Sequence, residues 1–165
     1  MSDMIIRRMT IRDVDAVTAI EQAVFPRPWT KADFEKEMTK NVCARYLVAE
    51  TEGKLVAYAG VWVVLDEGQV TKIAVLSEFR SRGIGETVFR ALLQYAANLG
   101  AAFVTLEVRE SNTPARRLYE KCGFISVGIR KKYYEDNGEN GVIMLLEHMP
   151  DAEEDFEEAE TVHEE

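Results

Sequence analysis

The sequence predicts one α/β domain built on a mixed central sheet, and the order of its segments is the reason. Three strand-like segments, 45–50, 55–65 and 69–76, follow one another without an intervening helix. Such a run is typical of an antiparallel meander. Further along, strands and helices alternate, which indicates parallel neighbours. The two patterns together predict about seven strands, antiparallel in the N-terminal half and parallel only in the middle, flanked by helices.

Two helices are predicted between a first strand, beginning at Ile5 and Ile6, and the meander. Each start is marked by a threonine with an aspartate three residues later, the spacing of a capping box: Thr10 with Asp13, and Thr30 with Asp33. The first helix has a buried stripe at helical spacing: Val14, Val17, Ile20 and Val24. Pro26 and Pro28 end it, and the second helix runs through Met38. Glu52-Gly53 and Glu67-Gly68 are the predicted turns of the meander.

A long helix, a strand, a short helix and two last strands complete the domain. The long helix extends from Ile84 to about Leu99, and its apolar face recurs every three or four residues: Ile84, Val88, Ala91, Leu92, Tyr95 and Leu99. A strand over 103–109 follows. Asn112-Thr113-Pro114 then opens a helix that ends at Cys122-Gly123. The last strands, 124–130 and 141–147, flank a loop over 133–140.

Charge divides the chain into a neutral body, 1–149, and an acidic C-terminal tail, 150–165. The net charge is −9, but nine carboxylates lie after Pro150 and no Lys or Arg does. Without them, 20 acidic residues face 20 basic ones. We therefore expect a folded domain with a disordered tail. A further hypothesis is that the tail steers a basic protein partner toward the domain.

Composition excludes several classes of function. The apolar runs are too short to span a bilayer, and nothing at the N-terminus resembles a signal peptide. Two cysteines are too few for a disulfide framework, and together with two histidines they do not form the pattern of a zinc site. A neutral body has no basic surplus for nucleic acid. We expect a cytoplasmic protein that binds neither membrane nor nucleic acid and has no metal.

The turn over 80–86 has the chemistry of a phosphate site. Two arginines, Arg80 and Arg82, precede a Gly-x-Gly corner from which the long helix begins. The first turn of a helix has free N–H groups and a partial positive charge, and both favour an anion. It is not a dinucleotide fingerprint, because Val88 replaces the third glycine, nor a Walker A loop, because no Gly-Lys-Ser/Thr follows.

Two blocks of sequence resemble a known family. Ile73-Ala74-Val75 followed by Arg80-x-x-Gly83-x-Gly85 resembles the acetyl-CoA signature of the GNAT N-acetyltransferases. The block from Leu106 to Phe124 is similar to the RimI-type branch, which acetylates the N-terminal alanine of ribosomal protein S18. Arg130-Lys131-Lys132-Tyr133-Tyr134 and Phe25-x-x-Pro28-Trp29 add to the match, which covers about residues 5–147.

The resemblance implies a sheet that splays between its fourth and fifth strands, with the pantetheine arm of acetyl-CoA in the gap. Backbone groups of Ile73, Ala74 and Val75 would pair with pantetheine. The pyrophosphate would lie in the turn, at Arg80, Ser81, Arg82, Gly83, Ile84, Gly85 and Glu86, and Asn112 would reach the cofactor from the next helix.

Further roles follow from the same resemblance. Glu107 would be the general base, Tyr119 the general acid, and Tyr133 and Tyr134 would border the substrate peptide. The N–H of Val75 is our candidate donor to the oxyanion. The segment Gly138-Glu139-Asn140-Gly141 departs from the usual Gly-x-Glu-Asp-Ala pattern of this branch, so the resemblance does not predict the exact peptide preference.

Simpler interpretations stay open for the same residues. Glu107 shares a strand face with Phe103, Thr105 and Arg109, and is also consistent with a solvated carboxylate or an arginine pair. Tyr119 is consistent with a core aromatic, and Arg80 and Arg82 with surface charges. Cys122 has no histidine nearby in sequence and is not expected to be a nucleophile.

At the level of function, three alternatives remain. The resemblance implies the first, N-terminal acetylation of a protein, with acetyl-CoA as the donor and ribosomal protein S18 as the expected substrate. The other two are acetylation of a lysine or small amine, and a non-catalytic module that binds coenzyme A. The sequence does not predict the oligomeric state.

Overall fold

The computed structural model describes residues 4–153. In chain order its elements are β1 (Met4–Arg8), α1 (Val14–Val24), α2 (Lys31–Thr39), β2 (Ala44–Thr51), β3 (Lys54–Val64), β4 (Glu67–Val75), α3 (Ile84–Asn98), β5 (Phe103–Arg109), α4 (Thr113–Lys121), β6 (Ile125–Arg130) and β7 (Gly141–Leu146). The seven strands form one sheet in the order β1-β2-β3-β4-β5-β7-β6. Every neighbouring pair is antiparallel except β4 and β5. The predicted mixed sheet, parallel only in its middle, is confirmed.

Helices cover the two faces of the sheet over separate cores. On one face α3 packs on β2, β3 and β4, and its inward residues Val88, Phe89 and Leu92 are fully buried. On the other face α1 packs on β3 and β4, with Val17 and Ile20 buried against Tyr58 in the second core. The sheet thus separates two hydrophobic cores, one on each of its faces.

The helix starts form as the threonine–aspartate spacing predicts. At α2 the N–H of Thr30 donates to Asp33 Oδ2 at 2.9 Å, and the N–H of Asp33 donates to Thr30 Oγ1 at 3.2 Å. At the first site the N–H of Thr10 donates to Asp13 Oδ2 at 2.8 Å. A single 3-10 turn, Ile11–Asp13, follows Thr10, so α1 begins at Val14.

One predicted turn of the meander is wrong. Glu67 and Gly68 belong to β4, where they pair with Val64 and Val63 of β3. The chain reverses earlier, with Leu65 at φ 55°. Gly68 lies in a closely packed position instead: a Cβ there would lie 3.0 Å from Val104 Cγ2 on the adjacent parallel strand, so the Val104 side chain would have to shift.

The strands β4 and β5 pair over only three residues and then diverge. Their ladder joins Glu67 to Phe103, Gly68 to Val104 and Gln69 to Thr105. Immediately afterwards the register between β3 and β4 shifts, which leaves Thr71 as an extra residue in β4. A bulge bends its strand. The divergence opens a gap in the middle of the sheet, between 70–75 and 106–109.

The C-terminal segment lies along α3. Gln94 Nε2 donates to the carbonyl of Asp151 at 2.7 Å, and the N–H of Glu153 donates to Asn98 Oδ1 at 2.7 Å. Most of the acidic tail predicted over 150–165, that is residues 154–165, lies outside the described residues. Within 4–153, no helix combines the length and apolar character needed to cross a bilayer.

Candidate active site

Two adjoining cavities fill the gap between β4 and β5. The larger, about 700 Å³, reaches the turn over 80–86, and the smaller, about 330 Å³, reaches Glu107 and Tyr134. They share lining residues from β4, β5 and α4, among them Ile73, Arg109 and Tyr119. The two cavities are therefore parts of one cleft that passes through the sheet.

The gap-facing edge of β4 offers backbone groups without a strand partner. The N–H of Leu76 donates to the carbonyl of Val56 at 2.9 Å, on the β3 side. Antiparallel pairing alternates along a strand, so Ala74 also pairs with β3, whereas Ile73 and Val75 direct their N–H groups into the gap. Ala74 lines the larger cavity although its amide faces β3. An extended chain with amides can pair along this edge.

The turn over 80–86 has the backbone of an anion site. Gly83 is the N-cap of α3 at φ 78°, a left-handed conformation that glycine adopts without strain, and Ser81 has a positive φ of 63°. The helical ladder begins with the N–H of Thr87 donating to the carbonyl of Gly83 at 3.1 Å. The N–H groups of Ile84, Gly85 and Glu86 thus precede the ladder and are available to an anion.

Some residues of the turn line the cavity, and Arg82 contacts the segment just before the turn. Arg80, Ser81 and Gly85 line the larger cavity, and Arg80 Nε donates to the carbonyl of Val75 at 3.1 Å. Arg82 lies over the Phe79 ring, 5.1 Å from its centroid.

Glu86 faces away from the anion site. Its carboxylate pairs with Lys121 at 2.8 Å and with Arg90 at 3.0 Å. These two partners lower the pKa of Glu86. Its negative charge is therefore neutralised by α4 and α3, and only its N–H is left for a phosphate.

Asn112 has a structural role beside its predicted one. Its Oδ1 accepts from the N–H of Ala115 at 3.3 Å and caps α4. Asn112 also lines both cavities. The cap uses one acceptor position of the side-chain oxygen, so the side chain can still accept a second hydrogen bond or donate one from Nδ2 to a cofactor.

Tyr119 belongs both to the core and to the cleft. Its ring centroid lies 5.0 Å from that of Phe89 and 6.1 Å from that of Phe124, within the core under α3. Tyr119 nevertheless lines both cavities at their junction. Burial, with a smaller contribution from Tyr134, raises the pKa of Tyr119, so that the phenol stays protonated.

Glu107 faces the opposite side of the sheet from α3. Val104, Leu106 and Val108 are buried in the core under α3, so the alternate residues of β5 share the other face, as predicted. The Glu107 side chain is 18% exposed, and its Oε1 lies 2.7 Å from Arg130 Nε. A hydrogen bond to Glu107 is also the main cause that raises the pKa of Tyr133. The pairing with an arginine, left open by the sequence, is what the structure shows.

The two tyrosines of the loop before β7 occupy different places. Tyr134 lines the smaller cavity, and the Arg109 guanidinium lies 4.1 Å from its ring centroid. Arg109 also binds both carboxylate oxygens of Asp136, at 3.0 and 2.8 Å. Tyr133 lies edge-on to Tyr134 at 5.0 Å and is 46% exposed. The loop is therefore tied to the end of β5.

The loop sequence that departs from the family pattern is held by hydrogen bonds of its own. Glu139 Oε2 accepts from the N–H of Ser111 at 2.6 Å, and Asn140 Oδ1 accepts from the N–H of Lys132 at 3.0 Å. A Cβ at Gly141 would lie 3.1 Å from Tyr133 Cδ2. The glycine thus allows the Tyr133 ring to lie against β7.

The sequence did not reveal a buried ion pair in the wall of the cleft. Lys72 Nζ lies 2.8 Å from Oε2 of Glu21, a fully buried carboxylate, and 4.6 Å from the Trp29 ring centroid. Glu21 also accepts from the N–H of Trp29 at 2.8 Å and from the hydroxyl of Tyr58. Glu21 follows Ile20 on the apolar stripe of α1, and an acid in such a position needs a partner.

A sequence model of the acetyltransferase (GNAT) family matches residues 14–124. The chain is 45% identical over 141 residues to a putative ribosomal protein bS18-alanine N-acetyltransferase of Bacillus subtilis (strain 168), covering 86% of this chain and 93% of that protein. It is 37% identical over 138 residues to the ribosomal protein bS18-alanine N-acetyltransferase of Escherichia coli (strain K12), covering 81% and 90%. The chain therefore belongs to the acetyltransferase (GNAT) family and is an acetyl-CoA-dependent N-acetyltransferase.

Solved structures agree with the sequence relatives. The crystal structure of the ribosomal-protein-S18-alanine N-acetyltransferase from Escherichia coli superposes with a TM-score of 0.82 at 31% identity, covering 92% of this chain and 98% of that chain. Arabidopsis thaliana NAA60 in complex with acetyl-CoA shares the fold, with a TM-score of 0.77 at 17% identity, over 87% of this chain and 97% of that one. Among residues 4–153, no group of three His, Cys, Asp or Glu side chains is arranged to hold a metal.

Proposed function

We propose that this protein transfers the acetyl group of acetyl-CoA to the N-terminal α-amine of a protein, and that the protein is ribosomal protein bS18 with an N-terminal alanine. The observation that supports this proposal most strongly is the 45% identity, over most of both chains, to a relative named for that reaction. Because a ribosomal protein is the substrate, we propose that the enzyme works in the cytoplasm.

The shape of the cleft suits two substrates, acetyl-CoA in the larger cavity and the acceptor amine in the smaller one. The larger cavity leads from the turn over 80–86 along Ile73 and Val75, which suits a diphosphate followed by an amide-containing arm. The smaller cavity has Glu107 and Tyr134 in its wall, on the face of β5 away from α3. Acetyl-CoA and the acceptor amine would approach from the two ends and meet beside Tyr119.

In this proposal Glu107 receives the proton that the attacking amine must lose. An α-amino group has a reference pKa of about 7.7–8.0 and is largely protonated near neutral pH. The amine nitrogen then bonds to the thioester carbonyl carbon, and the carbonyl oxygen becomes an oxyanion next to the gap-facing N–H of Val75. The C–S bond breaks as the intermediate collapses, and the thiolate takes a proton from Tyr119, which burial keeps protonated. The nitrogen gives its second proton to the Tyr119 phenolate and becomes a neutral amide, which regenerates Tyr119, and Glu107 releases its proton to solvent.

Acetylation of synthetic peptides, read by mass, tests the proposal. A peptide with the bS18 N-terminus and a free α-amine should gain one acetyl group, whereas an N-blocked twin that contains lysine should gain none. The reverse result would assign the enzyme to lysine side chains. Release of coenzyme A with no acetylated peptide would contradict both.

Two variants test the assigned roles. Glu107→Gln and Tyr119→Phe should each lower kcat by about 10²–10⁴-fold, the contribution of general acid–base catalysis, and both should still bind coenzyme A in calorimetry. Glu110→Gln is the matched control, because Glu110 is exposed just beyond β5. Wild-type rates in either catalytic variant would reject that residue's role.

A further inference from the structure

Two side chains, those of Arg130 and Tyr133, contact the carboxylate of Glu107 on its face of the sheet. Arg130, the last residue of the edge strand β6, lies opposite Gly141 of β7, and Ile143 of β7 lies opposite Glu107 of β5. Because these positions share a face of the sheet, Arg130 reaches across β7 to place its Nε 2.7 Å from Glu107 Oε1. Tyr133 lies against Gly141 between them.

The two partners of this ion pair are held very differently. The Glu107 side chain is 18% exposed and projects from a strand in the middle of the sheet, whereas the Arg130 side chain is 56% exposed at the sheet edge. Arg130 also lies over the Tyr133 ring, 5.6 Å from the centroid. The carboxylate is thus fixed, while the guanidinium can leave it for water.

The two cations that line the smaller cavity, Lys72 and Arg109, are paired with other carboxylates. Lys72 pairs with the buried Glu21 at 2.8 Å, and Arg109 pairs with Asp136 at 2.8 Å. Neither is paired with Glu107. A positively charged amine that enters this cavity therefore meets one carboxylate, Glu107, whose cationic partner is largely exposed to water.

We propose that Arg130 is a counter-ion that occupies, in the free enzyme, the place at Glu107 that the substrate's α-ammonium takes on binding. Peptide binding then exchanges one cation for another at Glu107, and the released guanidinium turns outward at the edge of the sheet. The charge inside the cleft stays constant, and the carboxylate is paired in both states. This inference rests on the proposed function, because it assumes an ammonium group as the incoming ligand.

The exchange makes Arg130 a competitor, which fixes the sign of the expected effect. In Arg130→Met the incoming ammonium no longer displaces a guanidinium and is no longer repelled by one. A part-exposed ion pair supports a change of about two- to five-fold in the dissociation constant. A peptide whose amine is blocked does not approach Glu107 as a cation, so its binding should not change.

Calorimetric titration of the enzyme saturated with coenzyme A, which prevents turnover, tests the inference. The ligands are a free-amine peptide with the bS18 N-terminus and its N-acetylated twin. Arg130→Met should bind the free-amine peptide about two- to five-fold more tightly and the twin as the wild type does. Lys131→Met, an equal charge change at the next exposed residue, should alter neither, and Arg130→Lys should restore the wild-type constant for the free-amine peptide.

Unchanged or weaker binding of the free-amine peptide by Arg130→Met would overturn the inference. Equal weakening of both peptides would also overturn it, and would assign Arg130 to direct contact with the peptide. Failure of the proposed function is separate, because the wild type would then acetylate a lysine-containing peptide instead. In that case the same comparison, made with the lysine peptide and its acetylated twin, reads the exchange at Glu107.

Discussion

The buried pair of Glu21 and Lys72 gives a prediction whose size follows from the structure. Glu21 is fully buried on α1, and the Lys72 side chain on β4 is 15% exposed. Lys72→Met keeps an unbranched side chain of similar length next to Trp29 but removes the charge. The carboxylate is left with two neutral donors, the Trp29 N–H and the Tyr58 hydroxyl.

The expected loss in the free energy of unfolding is about 3 kcal/mol. Breaking a buried ion pair by removing one partner costs about 3–5 kcal/mol, since a charge remains buried without compensation. We take the lower end because the two neutral donors still bind Glu21. The double variant Glu21→Gln/Lys72→Met should lose less than Lys72→Met alone, because it leaves no buried charge.

Urea unfolding followed by tryptophan fluorescence measures these losses. The m-value should not change, so that the midpoint reports stability. The matched control is Lys54→Met, because Lys54 is an exposed lysine that lies 5.9 Å from the Phe79 ring centroid, and its loss should stay within about 0.5 kcal/mol. A loss for Lys72→Met no larger than this control, or a double variant that is less stable than the single one, would refute the reasoning.

Two further predictions concern stability and the shape of β4. Burial disfavours the charged form of Asp13, but hydrogen bonds from Arg7 and Thr10 outweigh it and lower the pKa of Asp13. Asp13→Asn should therefore lower the free energy of unfolding by about 2 kcal/mol at pH 7. In urea titrations this difference from the wild type should disappear as the pH falls below about 4 and the wild-type carboxylate becomes protonated. A Cβ at Gly60 would lie 2.2 Å from Tyr46 Cε2, so Gly60→Ala should cost at least about 2 kcal/mol in the free energy of unfolding. Because Gly60 of β3 pairs with Lys72 of β4 next to the bulge, the same variant should weaken coenzyme A binding in calorimetry. Wild-type stability would contradict this.

Local sequence signals predicted most of the fold because they act over a few residues. Thr30 and Asp33 cap each other within one helical turn, and Gly123 ends α4 at φ 102°. Gly68 shows the limit of such signals. The glycine predicts a turn at this position, whereas in the structure it packs closely against Val104, 36 residues further along the chain. Sequence spacing alone cannot show a contact between distant strands.

The candidate site divides in the same way. The turn over 80–86 is contiguous, so its backbone conformation could be predicted from Gly83 and the helix that follows. The partners of the site's charges are distant: Arg130 is on another strand from Glu107, and Glu21 is 51 residues from Lys72. The roles of Glu107, Tyr119 and the other predicted site residues stay predictions that the variants above test.

A crystal structure with bound coenzyme A tests the central claim most directly. The diphosphate should accept hydrogen bonds from N–H groups of residues 84–86, and the pantetheine amides should pair with Ile73 and Val75, which places the sulfur near Tyr119. A diphosphate bound elsewhere, or a sulfur outside the gap between β4 and β5, would contradict the account.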